Sequence, residues 1–220
     1  MPGYFSEDFD IQTNFAIGMY DRDSGRLIDF RRTHNVVTNT GKTWISKLFG
    51  SSDYSQSPPT PHTTEKVKYI GFGVGGTLQT DNQYANNQSE LVTVVALEDP
   101  VPYSEVGNVK TYLKEIDDQV IGSSVYFPGN YRTVFVVDVL ETEISYALAE
   151  ARVSGVTVGT AVPISEAGLY LNTATTTYDA VGLTGTDPAT ANQMVAYNTF
   201  DPLTVTTNVV LRCEWEFRVG

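Results

Sequence analysis

The chain has 220 residues, which is enough for one domain with a sizeable core. It contains 14 Lys and Arg and 26 Asp and Glu, so its net charge is −12. This negative charge disfavours nucleic-acid and membrane partners. One cysteine and two histidines exclude an intrachain disulfide and leave too few ligands for a zinc-type site, so we expect no metal and no cofactor. The N-terminus lacks a basic and apolar leader, and no apolar run reaches the roughly 20 residues of a membrane span, so we expect a soluble protein.

Residues 14 to 37 alternate apolar and polar side chains on both sides of the turn-rich stretch DRDSG, at 21 to 25, which predicts a β-hairpin. DRDSG also resembles the start of a calcium loop, but its glycine comes one residue early and no glutamate closes a twelve-residue loop. We therefore interpret it as a turn. We assign residues 1–34 to an N-terminal hairpin or arm, a candidate interface, and residues 35–220 to a core domain.

A short helix is predicted at about 39–49. TGKT, at 40 to 43, matches the end of a phosphate-binding loop, but Val36 stands where that loop requires its first glycine. The helix has Thr38 or Asn39 as its N-cap and Gly50 as its end. Its apolar face contains Trp44, Ile45, Leu48 and Phe49.

GFGVGG, at 71 to 76, contains the GxGxxG spacing of a dinucleotide site, which works only where a strand leads into a helix. The polar residues 77 to 90 predict no helix, so we interpret the motif as structural. Its glycines are predicted to let the strand at 66 to 74 bend and leave the sheet, through a positive φ or where a neighbouring backbone leaves no room for a Cβ. These turn residues are Gly71, Gly73, Gly75 and Gly76.

Further strands are predicted throughout the rest of the chain, and they are separated by turn residues instead of helices. The runs lie at 91–98, 109–121, 131–141, 151–159, 164–171 and 194–200, and long loops are expected at 51–65 and 178–193. This order predicts a mainly β protein, an antiparallel β-sandwich or jelly-roll-like domain with the one short helix.

The C-terminal run has the most regular alternation in the chain. Its predicted core residues are Val209, Leu211, Cys213, Trp215 and Phe217. A strand of about 15 residues exceeds the usual length, so it spans a whole sheet, bends at a bulge, or pairs with a neighbouring subunit. Cys213 is interpreted as a small buried hydrophobic residue and not as a nucleophile.

No catalytic constellation is evident. The chain has no GxSxG motif, and His34 and His62 are interpreted as structural. Asp117 with Asp118 and Glu141 with Glu143 are the acid pairs that a polysaccharide hydrolase would need, but only the second pair shares one face of a strand. We interpret both pairs as solvated surface residues and expect no enzymatic activity.

Four segments, in this order, resemble a virion structural protein widespread among tailed bacteriophages. They are NVVTNTGKTWISKLFG (35–50), IGFGVGGT (70–77), ISEAGLYL (164–171) and AYNTFDPLTVTTNVVLRCEWEFRVG (196–220). The resemblance implies a β-rich, non-enzymatic subunit that forms a homo-oligomer in the neck, tail, baseplate or fibre-attachment apparatus. It further implies that the partners are copies of the chain and other virion proteins, and that the location is the virion, assembled in the host cytoplasm.

Two alternatives remain open from the sequence: a capsid decoration protein, and a carbohydrate-binding β-sandwich of a receptor-recognition fibre. For the second, aromatic rings in or near predicted loops would stack on sugars. The candidates are Tyr54, Tyr84, Tyr103 and Tyr178. Tyrosines at subunit interfaces would have the same composition.

Overall fold

A computed structural model of the chain describes residues 11–49, 66–80, 83–87, 93–94, 96–98, 100–101, 113–116, 124–127, 132–140, 152–153, 156–157, 162–172, 194–206 and 208–219. The strands in these ranges are β1 (Ile11–Asp21), β2 (Leu27–His34), β3 (Val36–Val37), β4 (Lys66–Gly73), β5 (Thr77–Thr80), β6 (Gln83–Asn87), β7 (Leu113–Glu115), β8 (Ser124–Phe127), β9 (Arg132–Leu140), β10 (Arg152–Val153), β11 (Val156–Thr157), β12 (Val162–Asn172), β13 (Met194–Val205) and β14 (Val209–Val219). The helix α1 is Asn39–Phe49. No helix within the described residues has the length and apolar character of a membrane span.

Most of the strands belong to two five-stranded antiparallel sheets. Sheet I has the order β2-β1-β14-β9-β8, and sheet II has the order β3-β13-β12-β4-β7. Two small hairpins, β5-β6 and β10-β11, lie outside these sheets. The prediction of a mainly β, antiparallel sandwich with one short helix is confirmed, and the predicted helix has the bounds expected from its cap and apolar spacing.

The two sheets share one hydrophobic core, because the inward side chains of their strands belong to a single cluster. Phe15 of β1 stacks on Phe200 of β13 with ring centroids 5.3 Å apart, and meets Trp215 of β14 edge to face at 4.9 Å. All three rings are fully buried. Rings packed in this way add to the hydrophobic stabilisation of the core and join the two sheets directly.

Two changes from one sheet to the other occur between described strands: from β2 to β3 across Asn35, and from β13, which ends at Val205, to β14, which begins at Val209. The C-terminal run is therefore two strands in different sheets, and the prediction of one strand of about 15 residues is wrong. β14 pairs with β1 along eleven residues and with β9 along nine. Since both of its edges are used within the chain, β14 has no edge with which to pair a neighbouring subunit.

The predicted core residues of the last strand lie on the inner face of β14. Val209, Leu211, Cys213 and Trp215 are buried, and Phe217 is half-buried against Phe135, with ring centroids 6.1 Å apart. This face is the one that the alternation indicates.

The predicted hairpin is present as β1 and β2. In its turn, Asp21 Oδ1 accepts hydrogen bonds from the Ser24 hydroxyl at 2.6 Å and the Ser24 amide at 2.8 Å, and Gly25 adopts φ +65°. These bonds lower the pKa of Asp21 and give the carboxylate a turn role. β1 lies between β2 and β14 in sheet I, and its Phe15, Ile17 and Met19 belong to the shared core. The role of residues 1–34 as an interface stays a prediction.

Two strand predictions differ from the structure. The described residues of 91–98 lie outside any strand, since Leu97 packs beneath sheet II and the Glu98 amide bonds to a side chain instead of a neighbouring strand. Residues 151–159 contain two short strands paired as a hairpin, β10 and β11, separated in sequence by a Ser-Gly dipeptide typical of turns. The predicted loops at 51–65 and 178–193 and the helix end at Gly50 lie outside the described residues.

Candidate functional site

The most unusual polar group in the described chain is Glu166, at the centre of β12 and fully buried. Its Oε1 accepts a hydrogen bond from the Gly75 amide at 3.1 Å. Its Oε2 accepts from the Glu98 amide at 3.0 Å and from the Tyr197 hydroxyl at 2.8 Å. A buried carboxylate is costly unless it is hydrogen-bonded, and these three donors come from segments far apart in sequence. Glu166 therefore fixes two loop segments onto sheet II.

The GFGVGG motif lies directly against this carboxylate. The structure places Gly71 and Gly73 in β4, and Gly75 and Gly76 in the turn before β5. A nucleotide phosphate would require free amides at this turn, but the Gly75 amide donates to Glu166. The next element is β5, a strand. The motif therefore lacks both features on which pyrophosphate binding depends.

Gly71 and Gly76 are required because a Cβ has no room at these positions, and not because the backbone is left-handed. A Cβ added at Gly76 would overlap the carbonyl oxygen of Ser165, and one at Gly71 would lie 2.8 Å from the Leu113 side chain. Of the two predicted reasons for glycine, a positive φ is found at neither Gly71 nor Gly76, and the second, a neighbouring backbone that leaves no room for a Cβ, is found at Gly76. The Ser165 hydroxyl also donates to the Val74 carbonyl at 2.9 Å, which adds a second bond between β12 and the turn.

Helix α1 is attached to sheet II by a similar close contact. Thr38 is the N-cap, because its hydroxyl oxygen accepts from the Gly41 amide at 3.1 Å. The same hydroxyl donates to the Met194 carbonyl at 2.6 Å, and the Thr38 amide donates to the Val195 carbonyl at 3.0 Å. A Cβ at Gly41 would overlap that carbonyl. The TGKT stretch is thus packed against β13, which explains its glycine without a phosphate.

Sheet II is consequently buried on both faces. Alternate residues of β12 and β13 face the shared core, and the opposite face carries a second buried cluster. That cluster contains Tyr69, Leu97, Leu113, Tyr170, Met194 and Tyr197.

Of the residues considered for catalysis, Cys213 and His34 are among those described. Cys213 is fully buried, and burial raises the pKa of its thiol well above the ordinary value, so it is a neutral thiol in the core. His34 is exposed, and its carbonyl accepts from the Asn198 side chain at 2.9 Å. His62 and both acid pairs, at 117–118 and 141–143, lie outside the described residues.

Other candidate ligand sites are described only in part. Of the four candidate sugar-stacking tyrosines, only Tyr84 falls in the described ranges, in β6, and Tyr54, Tyr103 and Tyr178 lie outside them. Within those ranges, no three His, Cys, Asp or Glu side chains are grouped as metal ligands would be.

Sheet I differs from sheet II because its outer face carries exposed apolar side chains. The register shifts between Met19 and Tyr20, so that Tyr20 lies opposite Leu27 and Ile28 is the additional residue of a β-bulge. Tyr20 also pairs with Val210, which pairs with Leu140, so an apolar row crosses four strands, over a width of about 14 Å. We name the outer apolar patch as Tyr20, Leu27, Ile28, Phe30, Leu140 and Val210.

The outer apolar patch is largely exposed. Leu27, Ile28, Phe30 and Leu140 have 46 to 48% of their surface accessible. Such a concentration of large apolar side chains on a protein surface typically marks an interaction site.

Comparisons with known proteins add no assignment: no protein family model, curated protein or solved structure matches the chain.

Sequence reasoning missed two features of these surfaces. Glu166 is the only charged residue in the eleven of β12, and a lone acid within an apolar strand is a signal that could have indicated a buried carboxylate. The bulge that exposes Leu27 and Ile28 together has no comparable signal, because both residues fit an ordinary strand pattern.

Proposed function

We propose that the chain is a non-enzymatic structural subunit of a tailed-phage virion that forms a homo-oligomer in the neck, tail or baseplate. The observation that carries this proposal is the mutual packing of the four segments that resemble such proteins. Residues 35–50 pair with the segment 196–220, because Val36 and Val37 lie opposite Tyr197 and Ala196. The segment 196–220 also pairs with 164–171, through β13 and β12. Residues 70–77 contact the segment 164–171 through Gly75, Gly76 and Glu166. Motifs that are separately weak thus form one packed unit.

The roles of individual polar groups also support a structural subunit. The carboxylate of Glu166 is saturated by donors from the protein, and the thiol of Cys213 is sealed in the core. Nucleophilic or acid–base catalysis requires such groups to reach a substrate. Here they stabilise loops and packing instead.

The contrast between the faces of the sandwich supports association with other proteins. A sheet face that carries Phe30, Leu140 and their neighbours is a surface suited to burial in an assembly. In symmetric particles, such contacts between subunits supply burial that the single chain does not have.

The test is whether the chain is a stoichiometric component of virions. Peptides of this chain are quantified in purified tailed-phage particles and in the soluble fraction of the same lysate, with a known capsid protein as the internal standard. We expect a fixed number of copies per particle. A chain confined to the soluble fraction, with none in the particles, would contradict the proposal.

A further inference from the structure

The edge of sheet I next to the outer apolar patch is protected against strand addition. β2 is a terminal strand of sheet I in the described chain. Its Phe30 amide donates to Asp29 Oδ1 at 2.8 Å, and its Phe30 carbonyl accepts from Arg31 Nη1 at 2.9 Å. The Asp29 and Arg31 side chains are also paired with each other. Both backbone groups that a new strand would use at Phe30 are therefore occupied.

Side chains also join this edge to sheet II. Arg31 Nε donates to the Asp201 carbonyl at 3.1 Å, and Arg31 Nη2 donates to the Pro202 carbonyl at 3.3 Å. Further along β2, the His34 carbonyl accepts from the fully buried Asn198 side chain at 2.9 Å. Side chains that occupy an edge in this way prevent edge-to-edge pairing. A partner of β2 is therefore expected to contact the outer face of sheet I, and not to extend the sheet.

The outer face of sheet I is organised in rows that cross three strands. β1 pairs with β2 on one side and with β14 on the other, so each outward residue of β1 has an outward neighbour on both sides. In order from β2 through β1 to β14, the four rows are His34, Asn14 and Glu216; Arg32, Ala16 and Glu214; Phe30, Gly18 and Arg212; and Leu27, Tyr20 and Val210.

The two ends of each row are chemically complementary. They are, row by row, a histidine and a carboxylate, an arginine and a carboxylate, an aromatic ring and an arginine, and two aliphatic side chains. Opposite charges attract, a guanidinium stacks on an aromatic ring, and aliphatic side chains bury each other.

The central charged row is unsatisfied within one chain. Arg32 and Glu214 lie on opposite sides of Ala16, with their Cα atoms about 10 Å apart. Both side chains are exposed. Among the described residues, neither of them has an ion-pair partner. Both charges are therefore available to another molecule that carries the opposite charges at the same spacing.

On the basis of the proposed virion function, which makes copies of the chain its partners, we infer that two copies pack outer face on outer face about a twofold axis along β1. This rotation exchanges the two ends of every row. Arg32 of each copy then lies on Glu214 of the partner copy, and all four rows become complementary at once. A twofold axis across the strands would instead place β2 on β2, so that the basic ends of the rows would meet.

The centre of this face has room for a second sheet. Ala16 has a small side chain, and the Tyr20 ring lies against Gly18, where an added Cβ would be 2.8 Å from it. The longer side chains of β2 and β14 flank these residues on both sides. A face of this shape lets two sheets approach to about 10 Å, the spacing at which their side chains interdigitate.

Two leucines of the outer apolar patch test the position of the axis. Leu27 lies one strand from β1, whereas Leu140 lies two strands away on β9, where no described strand of the partner copy would cover it. Their exposed fractions are 47 and 48%, so Leu27→Thr and Leu140→Thr are matched changes. Sedimentation velocity over a range of concentrations gives the dissociation constant of each full-length variant. We expect Leu27→Thr to raise it at least tenfold and Leu140→Thr to raise it less than threefold.

Charge reversals test the pairing itself. Arg32→Glu and Glu214→Arg each create two like-charge contacts in their own dimer, so we expect each to raise the dissociation constant at least tenfold. Lys42→Glu, on the exposed side of α1, is the control and should match the wild type. Circular dichroism checks the fold of every variant.

A mixture of the two charge variants separates contacts between copies from effects within one copy. In a mixed dimer of Arg32→Glu and Glu214→Arg, both contacts again join opposite charges, whereas the charges within each copy stay as they were. We expect mixed dimers to form at concentrations at which each variant alone is monomeric. Native mass spectrometry, with one variant labelled with heavy nitrogen, counts them.

The two proposals fail in different ways. A mixture that forms no more dimer than its components, or equal losses for Leu27→Thr and Leu140→Thr, overturns the twofold contact along β1 and leaves the virion function intact. A wild-type chain that is monomeric at every concentration also overturns this contact. Absence of the chain from purified particles contradicts the virion function, whatever dimers the variants form.

Discussion

The two sheets of the sandwich differ in how far their outer faces are buried. Sheet II is enclosed on both faces, with α1 and the segments that contain Gly75 and Glu98 attached to it by hydrogen bonds. Among the described residues, sheet I has a buried inner face, and its outer face mixes exposed apolar and charged side chains. The difference predicts that substitutions on sheet II cost more stability than substitutions on the outer face of sheet I.

Replacement of Glu166 is expected to have the largest effect on the free energy of unfolding. Glu166→Ala removes the acceptor for two backbone amides and the Tyr197 hydroxyl inside the protein, so we expect the free energy of unfolding to fall by about 4 kcal/mol. Glu166→Gln keeps the shape but turns donors toward donors, and is expected to lose at least half as much. Denaturant unfolding monitored by tryptophan fluorescence measures both.

Matched variants compare the stability lost at Glu166 of sheet II with the stability lost on the outer face of sheet I. Glu214 is exposed on the outer face of sheet I, and Glu214→Ala should change the free energy of unfolding by less than about 0.5 kcal/mol. Tyr197→Phe removes one of the three donors and should cost about 1 kcal/mol. Equal losses for Glu166→Ala and Glu214→Ala would show that Glu166 does not anchor sheet II.

Gly76→Ala is expected to have the next largest effect. The added Cβ would overlap the Ser165 carbonyl, so the turn or β12 must shift, and we expect a loss of about 3 kcal/mol, within the range for overpacking of a rigid site. Gly25→Ala is the control, because Gly25 has a left-handed φ but open space around it, and should cost only about 1 kcal/mol. A smaller loss at Gly76 than at Gly25 would mean that the close backbone approach is not rigid.

Local patterns predicted the elements that depend on local interactions. The bounds of α1 follow from its cap and apolar spacing, and the faces of β14 follow from strict alternation. The same alternation concealed the passage between sheets. Val205 lies on β13 in sheet II and Val209 on β14 in sheet I, and both are buried in the one shared core. The apolar pattern therefore continues although the chain changes sheet.

Long-range contacts limit how much of the candidate site can be predicted from the sequence. The donors to Glu166 lie 91, 68 and 31 residues away in the chain, so no local pattern specifies them. Leu97 and Glu98 illustrate the consequence: their segment has the apolar composition of a strand, but its amide bonds to the buried carboxylate. The Glu166 side chain, from a distant strand, accepts the hydrogen bond that the local sequence predicts for a neighbouring strand.

Ion pairs give a smaller contrast between the sheets. On sheet I, Arg212 holds Asp138 through two bonds of 2.8 and 2.7 Å, and these bonds raise the pKa of Arg212, but both side chains are more than 40% exposed. Lys68 and Glu115 of sheet II are 2.7 Å apart and less exposed. Double-mutant cycles should give couplings of about 0.3 kcal/mol for the first pair and about 1 kcal/mol for the second. A stronger coupling on sheet I, persisting in 1 M salt, would contradict the idea that its outer face adds little stability.

The smallest effect concerns the protected edge of β2 and depends on pH. Hydrogen bonding from Arg31 lowers the pKa of Asp29 in the folded chain, so the carboxylate stabilises the fold above its unfolded pKa of about 3.9 and this contribution is lost as pH falls through the lowered value. Because Asp29 is well exposed, the contribution at neutral pH is well under about 1 kcal/mol. Asp29→Asn should therefore lower the free energy of unfolding slightly at pH 7 and not at all near pH 2.

The measurement is a series of denaturant titrations of the wild type and Asp29→Asn between pH 2 and pH 7, with Asp23→Asn as the control for removal of an exposed turn carboxylate. Size measurements over the same range add a second readout. Protonation of Asp29 removes its charge and so weakens its bonds to Arg31 and to the Phe30 amide, which leaves the edge of β2 less protected against strand addition. We expect larger species of Asp29→Asn to form already at pH 7, and of the wild type only in acid. A difference in stability between Asp29→Asn and the wild type that stays constant down to pH 2 would mean that ionisation of Asp29 does not stabilise the fold. Equal sizes of the two proteins at every pH would mean that the charge does not protect this edge.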